Sequence, residues 1–286
     1  MILQIQKMLQ STIDSLDPDP FLETLSVVDQ EDYKSTIQLL DSDDPMFYWT
    51  FRNTDFKQWN DPSCSQVLWL SGPPERNIHQ VSSYIVDLEK KATLKTEHIV
   101  LYFFCSSAFG EESIVDVFVH TLLHQIVRCS PMNNKISIFK RFLHTLLKEA
   151  FKTTIAPSWE KRDFNEKETP ATNIHKILNA PANTLLSALE AFLVHEEQRS
   201  LLIVVDGLDK VEHQPDELIR GIRVFVERLQ QRTLEVKILL TSQPLAEIKD
   251  LFNGLPWIEH DRERKGPSLP HTLSLNWTNN EERVLS

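Results

Sequence analysis

Three short stretches of this chain carry residue types suited to phosphate chemistry, and each closes an apolar run. They are Gly72-Pro73-Pro74-Glu75-Arg76-Asn77-Ile78-His79, then Asp206-Gly207-Leu208-Asp209, then Thr241-Ser242-Gln243. Holding a nucleotide takes backbone amides at a helix start, a lysine, and a hydroxyl and an aspartate on Mg2+. The spacing G-x-x-x-x-G-K-[ST] supplies most of these at one turn. Gly72 fills its first position, but Asn77, Ile78 and His79 hold the last three. Ile78 brings neither charge nor a hydrogen-bond donor where the lysine belongs, and His79 replaces the hydroxyl. Glu75 sets a carboxylate beside the expected phosphates, where like charge opposes binding. Against this, Arg76 offers a cation from another direction, and Asn77 tolerates the left-handed backbone that would preserve the loop. The helix start also keeps its amides and partial positive charge. Losing a lysine–phosphate pair and a metal ligand costs several kcal/mol. At about 1.4 kcal/mol per decade, micromolar binding moves towards millimolar.

Taken alone, Gly72-Pro73-Pro74 reads first as a plain strand-to-helix turn. Asp206 and Asp209 alone read also as capping or solvated acids. The elements around them give these stretches a common setting. Gln66–Ser71 and Leu201–Val205 are short apolar runs, Ile99–Cys105 is nearly continuous, and Val236–Leu240 is another core-strand candidate. Between them Ile78, Val81, Ile85 and Leu88 repeat at helical spacing, and helices are expected over about 113–128, 135–151, 185–193 and 216–231. Alternating strands and helices predict a mainly parallel sheet with helices on both faces. Ligands of such sheets bind at the carboxyl ends of the strands, where all three stretches lie.

Order and spacing together resemble a known family. VLWLSGPPERNIHQVSSYIV at 67–86 is similar to the NACHT-type domain of fungal STAND NTPases, also described as the nephrocystin-3-like N-terminal domain. FRNTDFKQW at 51–59, LYFFCSSAFGEESIVDVFVHTLLHQIV at 101–127, LLIVVDGLDKV at 201–211 and KILLTSQPLAEI at 237–248 extend the resemblance over roughly 45–255. The resemblance implies a three-layer P-loop NTPase-like α/β fold. It makes residues 72–79 a degenerate Walker A loop, Asp206 the Mg2+-binding acid, Asp209 an acid that orients or activates water, and Thr241, Ser242 and Gln243 the sensor. Lys210 stands where the family often has Glu, and Gln243 where it commonly has Arg, which weakens transition-state stabilisation.

The implied division is a helical segment and linker at 1–44, a NACHT-like domain at 45–258 with a polar insertion at 152–181, and a poorly ordered tail at 259–286. Within the first part, Ile2, Ile5, Leu9, Ile13 and Leu16 form one helical stripe, broken at Asp17-Pro18-Asp19-Pro20. A short helix is expected at about 29–40, followed by an aromatic collar of Phe47, Tyr48, Trp49, Phe51, Phe56 and Trp59.

A net charge of −11 over 286 residues argues against nucleic-acid affinity. No apolar run reaches the roughly 18 residues of a membrane span, and the N-terminus is no signal peptide. Three cysteines with no close pair, Cys64, Cys105 and Cys129, read as free thiols of a reducing compartment, and a cytoplasmic location is expected. His120 and His124, at i and i+4, have no third metal ligand in view and read as ordinary helix-face residues.

The leading expectation is a pseudo-NTPase. It would be a non-catalytic scaffold or switch part in signalling or innate recognition, of the NOD-like receptor kind. It would need no cofactor, bind nucleotide weakly or not at all, and act through protein partners or self-association. One alternative is a genuine switch that binds Mg-ATP or Mg-GTP through a noncanonical loop, using Asp206 and Arg76. Another is a pure interaction domain that pairs through the N-terminal amphipathic helix. Neither the effector region nor the repeats usual in the family are evident, which leaves open a truncated product or incomplete gene model.

Overall fold

The computed structural model describes residues 2–14, 30–37, 45–61, 66–93, 98–106, 114–129, 132–152, 172, 178–195, 200–211, 215–231, 235–252 and 256–259. Among the described residues the helices α1 (Ile2–Asp14), α2 (Gln30–Thr36), α3 (Pro45–Arg52) and α4 (Thr54–Trp59) come first. Strands and helices then alternate through β1 (Gln66–Ser71), α5 (Ile78–Thr93), β2 (His98–Phe104), α6 (Ile114–Cys129), α7 (Met132–Lys152), α8 (Ala182–His195) and β3 (Ser200–Asp206). The chain continues with α9 (Pro215–Gln230), β4 (Glu235–Ser242), α10 (Ala246–Leu251) and β5 (Trp257–Glu259).

The strands form one parallel sheet in the order β2-β3-β4-β1-β5. Parallel strands covered on both faces must be apolar on both, which is why their sequences read as continuous runs. Alternate residues feed two cores. Val67, Trp69, Leu101, Phe103, Ile203, Val205, Ile238 and Leu240 pack against α6 to α9. Leu68, Leu70, Tyr102, Phe104, Leu202, Val204 and Leu239 pack against α5 and Trp49, Phe51, Phe56 and Trp59 of α3 and α4. The fold is thus the expected three-layer, P-loop NTPase-like α/β architecture, preceded by a helical segment.

Four residues of the aromatic collar join the second core, and the side chains of Phe47 and Tyr48 lie outside what is described. Phe51, Phe56 and Trp59 are buried, with the Phe51 and Phe56 rings edge to face at 4.9 Å. Lys237, buried within β4, ties the collar down by donating to the Trp59 carbonyl at 2.6 Å and to that of Asp61. A cation there meets the carbonyl end of α4, where helix dipoles favour positive charge. On α1, Leu9 and Ile13 are fully buried and join the first core, and α1 lies along α7. That part of the amphipathic stripe is therefore occupied within the chain.

Edge strand β2 is closed by glutamine side chains. Gln125 of α6 accepts from the Tyr102 N–H at 2.9 Å and donates to its carbonyl at 2.7 Å, as a neighbouring strand would. Gln30 of α2 accepts from the Phe104 N–H at 2.6 Å. The Tyr102 backbone groups and the Phe104 N–H on this edge are thus satisfied without a sixth strand.

One strand was not anticipated: Trp257–Glu259 pairs in parallel with Trp69–Ser71. The stacked rings of Trp69 and Trp257, 5.1 Å apart, and the Trp257 Nε1 bond to Ser71 Oγ at 2.7 Å hold this strand. The Asp17–Pro20 break, Cys64, residues 153–171 of the expected insertion and the 260–286 tail lie outside the described residues, as does the Cys129 side chain. Cys105 is buried and free. No helix among the described residues is long and apolar enough to cross a membrane.

Candidate functional site

Sheet register decides which residues can meet. Asp206 continues the face of Leu202 and Val204, and Thr241 that of Leu239, so both point towards α5. There the Thr241 hydroxyl donates to Asp206 Oδ1 at 2.6 Å. The Gly207 N–H donates to the Thr241 side-chain oxygen and carbonyl, both at 3.1 Å. Gly207 turns the chain with φ +74°, a conformation glycine adopts without a Cβ clash. The resulting 3-10 turn, Leu208–Lys210, brings Asp209 Oδ1 to accept from the Gln243 N–H at 2.9 Å. The second and third stretches are thereby bonded directly to one another.

The first stretch joins them through Gly72, whose N–H donates to the Ser242 carbonyl at 3.3 Å. After Pro73, residues Pro74–Arg76 make a 3-10 turn that ends on Asn77 at φ 47°, ψ 42°. The left-handed conformation anticipated for Asn77 is therefore present, and the Gln80 N–H donates to its carbonyl at 2.8 Å as α5 begins. Pro74 and Glu75 are exposed on this turn, and the Arg76 side chain is outside what is described. Ile78, in the position of the missing lysine, is only 7% exposed and belongs to the α5-side core. Ser242 faces the other layer, where its Oγ accepts from Trp69 Nε1 at 2.9 Å.

His79 and Lys210 lie within electrostatic reach of the acids. Burial pushes the Asp206 carboxyl up, opposed by Thr241 and Ser82 and by the charges of Lys210 and His79. Burial likewise drives His79 below the usual imidazole range, with Asp206 opposing that shift and Lys210 adding to it. For Lys210 burial works against the charge, but Asp206, Tyr33 and Asp209 outweigh it and its pKa rises. Buried Cys105, whose N–H donates to the Asp206 carbonyl at 2.8 Å, has its thiol pushed well up by burial and by Asp206. Asp206 Oδ2 and Ser82 Oγ are both buried and neither makes a hydrogen bond of ordinary geometry. Away from this cluster, a His120 ring nitrogen lies 3.2 Å from the Leu178 carbonyl.

Two participants were not anticipated. Ser82, three residues beyond His79, shares its helix face; a hydroxyl on an otherwise apolar stripe was the available signal. Tyr33 of α2 lies 3.4 Å from Lys210 Nζ through its hydroxyl, a contact across 177 positions that no local pattern announces.

A family model described as Nephrocystin 3, N-terminal, matches residues 46–243, more than half of the chain. No curated protein and no solved structure matches.

Proposed function

The chain belongs to the nephrocystin 3 N-terminal family, and on that premise we propose a non-catalytic, NTPase-like module that works through protein contacts in cytoplasmic signalling or innate recognition. The NACHT/STAND character, the degenerate Walker A loop and the assignment of Asp206, Asp209 and Thr241 as remnants of an NTPase site are parts of the same reading. Its main support is Ile78, which is packed into the core where a nucleotide site requires a mobile lysine. Mg2+ demands near-octahedral oxygen ligands. The donor set at the strand ends does not fit that demand: His79 replaces a hydroxyl, and the Thr241 hydroxyl already occupies Asp206 Oδ1.

The test is titration of the full chain with fluorescent ATP and GTP analogues, with and without Mg2+. No saturation at millimolar nucleotide is expected. Saturation below roughly 100 micromolar, abolished by Asp206→Ala, would establish the second reading, a nucleotide switch. That reading draws on the retained left-handed Asn77 and the amides of the α5 start.

A further inference from the structure

We propose that α2 is a charge-latched strap, which opens from the edge of the sheet while the sheet behind it stays folded. The inference stands apart from the nucleotide question and concerns what covers the strand ends. With seven residues, Gln30–Thr36, α2 is too short to hold a helix by itself. Its place is therefore set by contacts with α5 and β2. Among its described side chains only Tyr33 joins the second core, half-buried, and buried Ile37 follows just beyond the helix end. The remaining hold is polar. Lys34 pairs with Asp87 of α5, and Glu31 pairs with Lys90 of α5. The Tyr102 hydroxyl also donates to Glu31, and Lys90 donates to that hydroxyl at 2.8 Å. The Glu31 side chain is 44% exposed and that of Asp87 27%, so salt screens these pairs.

Two groups lie under the strap. The Phe104 N–H, at the end of β2, donates to Gln30 Oε1 at 2.6 Å, and Gln30 is itself buried. Phe104 stands opposite Asp206 in the sheet register, so α2 sits at the carboxyl end of the strands, beside the candidate site. There the Tyr33 ring lies 6.0 Å from that of Phe104, and its hydroxyl 3.4 Å from Lys210 Nζ. Opening α2 therefore frees a backbone donor on the sheet edge and bares Lys210 in one movement. Units held by few apolar contacts open well below the free energy of global unfolding. Strand β3 is the contrast: it is paired on both sides and buried from Leu201 to Asp206, and it opens only with the whole sheet.

Hydrogen exchange of the full chain, read by mass spectrometry with fragmentation, tests the strap. In the native chain the α2 amides and that of Phe104 should exchange at least tenfold faster than those of β3. At about 1 M NaCl they should exchange at least threefold faster than at about 50 mM, with β3 unmoved. Lys34→Glu sets two acids against each other and should speed α2 and Phe104 at least tenfold more. Adding Asp87→Lys to that variant should return most of the protection, which a general loss of packing would not allow. Under competitive acylation Lys210 should label faster in Lys34→Glu than in the native chain, with the exposed Lys57 unchanged. Equal exchange of α2 and β3 overturns the proposal, as does α2 exchange that ignores salt or a charge swap that restores nothing. Unchanged Lys210 labelling beside an opened α2 overturns its cover of the strand ends. The salt series uses the native chain alone, so it decides the matter even where Lys34→Glu fails to fold.

Discussion

Glu89→Gln should flatten the pH dependence of stability above the carboxylate range. Glu89 lies on α5 and is 1% exposed. Burial lifts its carboxyl from 4.5 to about 8, against the pull of the Lys237 charge. Below pH 4.5 the folded and unfolded chains both carry the proton, and the two states titrate alike. Between there and about pH 8 the unfolded chain has released the proton while the folded chain keeps it. Stability therefore falls as pH rises through this window, by about 1.4 kcal/mol per unit and on the order of 5 kcal/mol in all. Glutamine has no proton to release, so its curve lacks this slope. Any cost of burying the amide shifts that curve by a constant, which leaves the slope to carry the test. Denaturant unfolding of both proteins at about pH 5, 6, 7 and 8 gives the difference, and groups such as His79 cancel in it. The variant should gain roughly 3 kcal/mol on the native chain between about pH 5 and pH 7.5. Parallel curves would refute the buried, proton-holding state of Glu89.

Two further substitutions test the loop and the edge. Asn77, at φ 47°, should tolerate Gly within a few tenths of a kcal/mol, whereas Ala costs about 1 kcal/mol; equal thermal midpoints for the two variants would count against the left-handed turn. Gln125→Leu removes both bonds to the Tyr102 backbone. It should cost about 2–3 kcal/mol and make the chain associate with rising concentration in sedimentation velocity, because the freed edge can pair. A monomeric variant of native stability would show that the glutamine does not cap the strand.

Legibility followed how local each interaction is. The strands were readable because burial on both faces demands uninterrupted apolar residues, and Leu201–Val205 meets that demand. Their order was not, since nothing local in β1 says that β4 and β5 will flank it. Lys237 sits inside an apparent core strand, and the carbonyl end of α4, packed against it, explains a charge there. β5 escaped notice because three residues have no periodicity, and its hold comes from Trp257 on Trp69. At the candidate site the substitutions in the loop were plain in the sequence. Where Ile78 goes was not: the gap left by a lost lysine is filled by packing, which is a three-dimensional fact.

That packing explains how the loop keeps its shape on the non-catalytic reading. A lysine at position 78 would need an anion to hold it, and without one its charge and the turn's amides would turn towards water. Isoleucine there stabilises the α5 start directly; burying such a side chain contributes about 1.5–3 kcal/mol. Asn77 meets the backbone demand that glycine would otherwise meet. Asp206 alone would be a costly buried charge, but the Thr241 hydroxyl and the charge of Lys210 offset that cost from within the chain. Each exchange replaces something a ligand would supply with something the chain supplies. Restoring only one of them, for instance by Ile78→Lys, should therefore destabilise the fold without creating a nucleotide site, because the new ammonium would replace a core side chain and bury an uncompensated charge.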